Sequence, residues 1–526
     1  EALVTARDPV KVSTLIKLLH QGDTPYAKER FLLQFKPKYS AQPEAALTGS
    51  TRGDSAHIKT IWKLAWPQTM MMLFHFLIGF VDVYVAGQIS DRVQASLGMI
   101  TQALFFFLII AIALANGGVS AISQSLGAGK PLRAKRYVTL CLAVVLLASL
   151  LLTGISFLFR PTLLVLLQAP EDIRSITDVF LRLYLLLLPV YSLFVMSNAV
   201  FRAQKQVFIP LISMAIVTLA NTVGDFGLCF GRFGLPEHGF RGLAWSTFGS
   251  VCAGCLFNLS ILGIRGWLKP SGFPPWKWIR RAMPYLWQVA WPAGFMQAMW
   301  QTAYLVLFSI TASLPRGNVT ALAAMAAGLR IESILFLPAV AFNMTASILV
   351  GHELGRGDFP GAKRTGLRTW LLGTGLIILV AVVLWLLIEP LAAFLSTVPA
   401  VQAQIVNYLH FNILAIPFTA TGLILGGAFI GAGATRYNML AIGTAVWGIR
   451  LPMAYVLGHV VVGTATGIWA SMLVSQIVQA TIMVLLFCIK DWSVFSMLAR
   501  KQRKMNSGVQ NATHIPPPVP GKASRL

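Results

Sequence analysis

"LGAGKPLRAKR", from Leu126 to Arg136, returns as "LGRGDFPGAKR", from Leu354 to Arg364, 228 residues further on. Each copy is a short, basic, glycine-bearing segment between long apolar runs. Pro189 and Pro417 stand the same distance apart. "LAWP" (Leu64 to Pro67) is echoed by "VAWP" (Val289 to Pro292), and "GLAWS" at Gly242 by "GIWAS" at Gly467. The chain is therefore read as one unit written twice.

The unit is a membrane unit. Of 526 residues, 56% are hydrophobic and only 11% charged, against about 25% charged in a soluble domain. Apolar runs long enough to cross a bilayer as helices recur along most of the chain. They lack the alternation of a membrane barrel strand, and helices satisfy their own backbone in lipid. Twelve spans are predicted, near 60–87, 97–124, 138–159, 176–200, 207–230, 242–264, 284–312, 320–350, 366–388, 403–427, 438–460 and 466–489. The expected fold is all-α, a polytopic membrane protein with twelve transmembrane helices in two pseudo-symmetric six-helix bundles. The bundles are placed at 57–268 and 284–490, with a linker at 269–283, an extension over 1–56 and a disordered tail over 491–526. Six spans per half give the halves one orientation, as in transporters that rock about a central site.

Basic residues set the topology. Lys130, Arg133, Lys135 and Arg136 follow span 2, Arg202 and Lys205 span 4, and Arg265, Lys269, Lys277, Arg280 and Arg281 span 6. Arg356, Lys363, Arg364 and Arg368 follow span 8. The positive-inside rule then puts both termini in the cytoplasm; the expected location is the cell's inner (plasma) membrane. The net charge of +24 is spread over these loops, so no nucleic-acid partner is expected. "CAGC" (Cys252 to Cys255) is read as helix packing, because free cysteine behaves as a small hydrophobe. "VSTLIKLLH" in the extension could form a short amphipathic helix on the membrane surface, or the extension could be floppy throughout. The Asn511 glycosylation pattern falls on the cytoplasmic side and is discounted.

Ionisable residues inside a membrane are costly and face protein or water. Asp82 lies near the end of span 1 away from the basic loops. Asn221 and Asp225, four residues apart on one helix face, lie near the same end of span 5, and Thr247 falls in the first turns of span 6. Topology alone puts all four at one depth in the first half. Their oxygens could hold a hard cation such as sodium, with Asp82, Asn221 and Asp225 as ligands. Alternatively they could take up protons, since burial and a neighbouring like charge both favour a neutral carboxyl group. The second half lacks this set: Leu307 answers Asp82, and Arg450 stands where span 5 has Asn221. Glu332 is read as the local ion-pair partner of Arg330, or else as a ligand for a cationic substrate. A substrate surface is expected between spans 1 and 7. "TMMMLFHF" and "FMQAMWQ" supply Met71, Phe74, Met296, Met299, Trp300 and Gln301, adaptable and aromatic groups suited to organic cations.

The motifs "AWP" in span 1, "VDVYVAG" at its end, "QSLGAG", "NTVGDFGLCFG…GLPEHGFRGLAWST" and "LPAVAFNMTASILVGHELGRG" resemble those of the multidrug and toxic compound extrusion (MATE) transporters, over about 57–490. The pattern is most similar to the DinF branch. The resemblance implies two six-helix bundles exporting organic cations and drugs against a proton or sodium gradient. It implies a coupling site at Asp82, Asn221 and Asp225 with Thr247 as a polar neighbour, and helix bending at Pro67. The carboxylates that other branches carry in spans 7 and 10 have no match here, where Gln297, Gln301, His410 and Asn412 stand instead.

The expected function is thus a rocker-switch antiporter, with no cofactor beyond the coupling ion, working as a monomer in the bilayer on small organic cations. A flippase for lipid-linked oligosaccharides or other lipids is the alternative, and would want a basic central cavity. An enzyme is not expected: there is no nucleophile beside a base and no phosphate loop.

Overall fold

The computed structural model describes residues 57–269 and 272–497. The extension over 1–56, its "VSTLIKLLH" stretch, Asn511 and the tail from 498 onward lie outside the described residues.

Twelve long helices carry the fold. In the first half they are α1 (Ile58–Ile89), α2 (Asp91–Gly127), α3 (Pro131–Leu158), α4 (Glu171–Ala203), α5 (Phe208–Phe230) and α6 (Phe240–Ile264). In the second they are α7 (Trp276–Ala312), α8 (Asn318–Arg356), α9 (Phe359–Leu386), α10 (Pro399–Gly431), α11 (Thr435–Val461) and α12 (Ala465–Ile489). Eleven are long and apolar enough to cross a membrane by length and composition. The twelfth, α7, has 37 residues but opens with Lys277, Arg280 and Arg281. It begins at Trp276, inside the stretch expected to be linker. The tail expected from 491 likewise starts with structure, a 3-10 turn at Trp492–Phe495.

The repeat is visible in detail. A short helix follows α3 at Arg160–Leu166 and another follows α9 at Ile388–Leu395, their first residues 228 apart. Proline lies inside α1 (Pro67), α4 (Pro189), α8 (Pro338) and α10 (Pro417), and inside α7 at Pro284 and Pro292. Each removes a backbone donor and invites a bend. α11 departs from the pattern: it is wound as a π-helix over Gly443–Arg450 and Val456–Val461, with an α-turn between that starts at Leu451 and has Pro452 second.

The hydrogen bonds that join the halves cluster towards the basic-loop end. There the carboxyl ends of α2 and α8 cross. A Cβ on Gly127 would stand 2.1 Å from the His352 carbonyl oxygen, and one on Gly355 would stand 2.3 Å from that of Gln124. The two contacts are copies of each other, since Gln124 and His352 occupy equivalent repeat positions. Only glycine permits this backbone approach. Gln124 donates Nε2 to the Gly431 carbonyl at 3.0 Å, and His352 Nε2 meets the Ala203 carbonyl at 2.9 Å. Each equivalent side chain thus grips the opposite half.

Candidate functional site

The first-half polar residues converge as their topology requires. α5 buries Asn221 and Asp225 completely. Asn221 Nδ2 donates to Asp225 Oδ1 at 3.4 Å and to Ser246 Oγ at 3.3 Å, while Ser246 Oγ donates to the Asn221 carbonyl at 2.7 Å. α6 comes this close because α5 carries Gly224, where a Cβ would lie 2.5 Å from Ser246 Oγ. Asp82, half-buried on α1, turns its carboxyl group to Asp225 and Asn221. Three helices thus deliver two carboxyl groups, an amide and a hydroxyl to one point.

One oxygen from each remains without a partner. Asp82 Oδ1, Asn221 Oδ1 and Asp225 Oδ2 are buried and accept no hydrogen bond. Burying unpaired polar oxygens is expensive, and among the described residues no lysine or arginine pairs with either carboxylate. A proton would relieve the cost by giving one carboxyl group a donor to share. A desolvated hard cation would relieve it by coordination, since oxygens are the ligands such ions prefer.

Two neighbours were not legible beforehand. Tyr184 of α4 lies within electrostatic reach of both carboxyl groups and faces Thr247. It sits in "LRLYLLLLP", where nothing marks it from its apolar flanks. Ser246, not Thr247, touches Asn221; Thr247 Oγ1 donates back to the Leu243 carbonyl at 3.0 Å.

The second half has its own buried polar centre, of different character. Glu332 Oε1 accepts from Tyr408 Oη at 2.8 Å and lies within electrostatic reach of Arg450. Arg450 is 2% exposed. Its Nε donates to Ser475 Oγ at 2.8 Å, and its guanidinium lies 5.5 Å from the Trp300 ring centre. The expected Arg330–Glu332 pair does not form. Two positions on a helix point to nearly opposite sides, so Arg330 is exposed while Glu332 is buried. Tyr304, Glu332, Asn412 and Gln476 also line a cavity of about 20 Å³, room for about one water. His410 instead packs on Trp385 at 4.8 Å between ring centres.

The residues expected to hold substrate fall on two separate walls. Met71 is buried in a first-half core, with Phe74 against it. Met296 and Trp300 pack on the second-half core. The Met299 carbonyl accepts from Trp447 Nε1 at 3.0 Å, and Gln301 is half-buried. α1 packs chiefly on α5 and α8, and α7 on α2 and α11, so neither of spans 1 and 7 has the other as its main packing partner. Pro67 is buried, and Gln68 beside it donates Nε2 to the Leu64 carbonyl at 2.8 Å.

A family model described as MatE matches residues 67–226 and 292–456, one segment in each half. The probable multidrug resistance protein NorM of Thermotoga maritima is 25% identical over 456 residues, covering 85% of this chain and 95% of the relative. The multidrug resistance protein PmpM of Pseudomonas aeruginosa is 26% identical over 421 residues, covering 77% and 84%. Among solved structures, a MATE protein in the straight conformation superposes with a TM-score of 0.77 at 17% identity, covering 87% of this chain and 99% of the other. The bent form of the Vibrio cholerae MATE transporter VcmN gives 0.76 at 20% identity, covering 84% and 98%. These two likenesses are of fold.

Proposed function

The chain belongs to the MatE family, and we propose on that footing that it is a multidrug efflux transporter, exporting small organic cations in exchange for an inward-moving proton or sodium ion. Family membership makes it a transporter and not an enzyme. Relatives named for multidrug resistance support drug-like cargo. The observation that carries the coupling is the trio of unpartnered oxygens on Asp82, Asn221 and Asp225.

The mechanism follows from where those oxygens sit. Asp82 shares α1 with Pro67, and Asp225 belongs to α5. A proton or sodium ion shared between the two carboxyl groups cancels one of their two charges, which relieves their repulsion and changes how α1 lies against α5. Pro67 gives α1 a point at which to bend. Drug affinity then changes because ion and drug favour different arrangements of α1. With both termini in the cytoplasm, as the basic loops favour, the ion would enter from the cell exterior and the halves would rock as alternating access requires.

The test is efflux of a fluorescent organic cation from cells carrying the protein or its Asp82→Asn variant, under a proton gradient alone and then a sodium gradient alone. Efflux driven by one gradient and lost in the variant is expected. Efflux indifferent to Asp82→Asn would place the coupling elsewhere. No efflux of any cation from folded protein would favour the lipid-flippase reading.

A further inference from the structure

Beyond α12 the chain turns back under the molecule. Asp491 sets the turn, accepting from Ser493 N at 2.9 Å and from Ser493 Oγ at 2.6 Å. Trp492 and Phe495 are 3% and 2% exposed. Their rings lie 5.6 and 6.2 Å from that of Phe429, and Trp492 Nε1 donates to the Phe487 carbonyl at 3.1 Å. Ser496 Oγ donates to the Leu354 carbonyl at 3.2 Å. All of these partners belong to the second half.

Met497 reaches the first half. Its N–H donates to Gln124 Oε1 at 3.1 Å, and the Arg133 guanidinium hydrogen bonds to its sulfur. Arg133 is steadied by Ser125 Oγ, to which its Nε donates at 3.0 Å. The same Gln124 amide that holds Gly431 through its nitrogen thus holds the end of this segment through its oxygen. Two rings sunk in one half and a backbone donor spent on the other make a strap across the α2–α8 crossing.

We propose that Trp492–Met497 is a clasp that holds the basic-loop end closed and must release Gln124 and Arg133 before that end opens. The inference rests on the alternating-access reading, because only a protein that opens at this end needs a clasp there. Its strength is that of a hydrogen bond or two, which makes it a bias on the equilibrium and not a lock.

The full-length chain in lipid vesicles, with spin labels on Lys130→Cys and Arg364→Cys, reads the separation directly. Both sites are exposed, one on each half, and Cys488→Ser removes the exposed native thiol among the described residues. Met497→Pro deletes the N–H and the sulfur together. Ser496 has φ −64 and ψ 134, which suits a residue before proline. Arg133→Ala removes the sulfur contact and leaves the backbone alone. Met497→Pro is expected to raise the ratio of long to short distances about 5- to 25-fold, the worth of a hydrogen bond or two, and Arg133→Ala to raise it less. If Met497→Pro does not fold, Arg133→Ala decides. Two populations in an unchanged ratio would overturn the clasp and leave alternating access standing. A single distance in every protein, with or without ion gradients, would overturn both.

Discussion

Gln68 donates its side-chain amide to Thr345 Oγ1 at 2.9 Å, so the residue that follows Pro67 in the first half is bonded to α8 of the second. A bend at Pro67 cannot move Gln68 without straining or breaking that bond. Thr345→Val removes the acceptor while keeping the shape. The expected result is a roughly fivefold shift in the ion concentration that gives half-maximal efflux, the equivalent of about 1 kcal/mol. Thr345→Ser should behave as the unsubstituted protein. Efflux titrated against the driving ion checks this, and an unmoved midpoint would show that α1 bends without involving α8.

Asp82→Asn and Asp225→Asn should each lower ion-driven efflux by about 5- to 150-fold, the usual span of coupling between sites. Glu332→Gln should leave the ion dependence intact, because Glu332 already has Tyr408 and Arg450 as partners. Gradient-driven efflux by the three variants separates the two centres. Loss of ion dependence in Glu332→Gln would show that the second half takes part in coupling.

Arg450→Met should cost about 1.5–3 kcal/mol, the worth of a hydrogen bond from a charged group, because Ser475 loses its donor and the buried Glu332 loses a cation within electrostatic reach. The double variant Arg450→Met/Glu332→Gln should recover most of that, since no buried charge is then left alone. Thermal unfolding of the purified proteins gives the comparison. A double variant no more stable than the single one would mean that Glu332 and Arg450 do not balance each other.

Gly355→Ala would push a methyl group into the Gln124 carbonyl, 2.3 Å from the Cβ position. Overpacking of this kind costs about 1–3 kcal/mol. The variant should melt earlier and favour the separated basic-loop end. Gly375→Ala, where nothing lies within 4 Å, should melt no earlier. Equal melting of the two variants would show that the crossing tolerates a side chain.

The large features were legible in the sequence because lipid leaves few choices. A long apolar run must be a helix, and basic loops mark one end of it. Asn221 and Asp225 could be placed with Asp82 from span direction alone. Tyr184 could not, since a tyrosine in an apolar run looks the same whether it faces lipid or a carboxylate. Glu332 stands two residues from Arg330 in the sequence but not beside it in space; its neighbours come from α10 and α11. The clasp was invisible for another reason. "DWSVFSM" is too short to declare a structure by periodicity, and its two rings are ordered only by the cluster they enter.

The spacing of the repeat says where the molecule tolerates a change of length. The offset between halves is 225 at Pro67 and Pro292, becomes 228 by Leu126 and Leu354, holds through Pro189 and Pro417, and returns to 225 at Gly242 and Gly467. The gains and losses fall in the links between α1 and α2, α5 and α6, and their counterparts, all at the mouth away from the basic loops. There α1 and α2 are joined by Ser90 alone, while 231–239 joins α5 to α6. At the other mouth the two copies keep step residue for residue. Lengthening a link should therefore be tolerated at the first mouth, and trimming tolerated in 231–239 but not at Ser90, which caps α2. At the second, an added residue between Gly127 and Pro131 would shift α3 away from the spacing its counterpart α9 keeps.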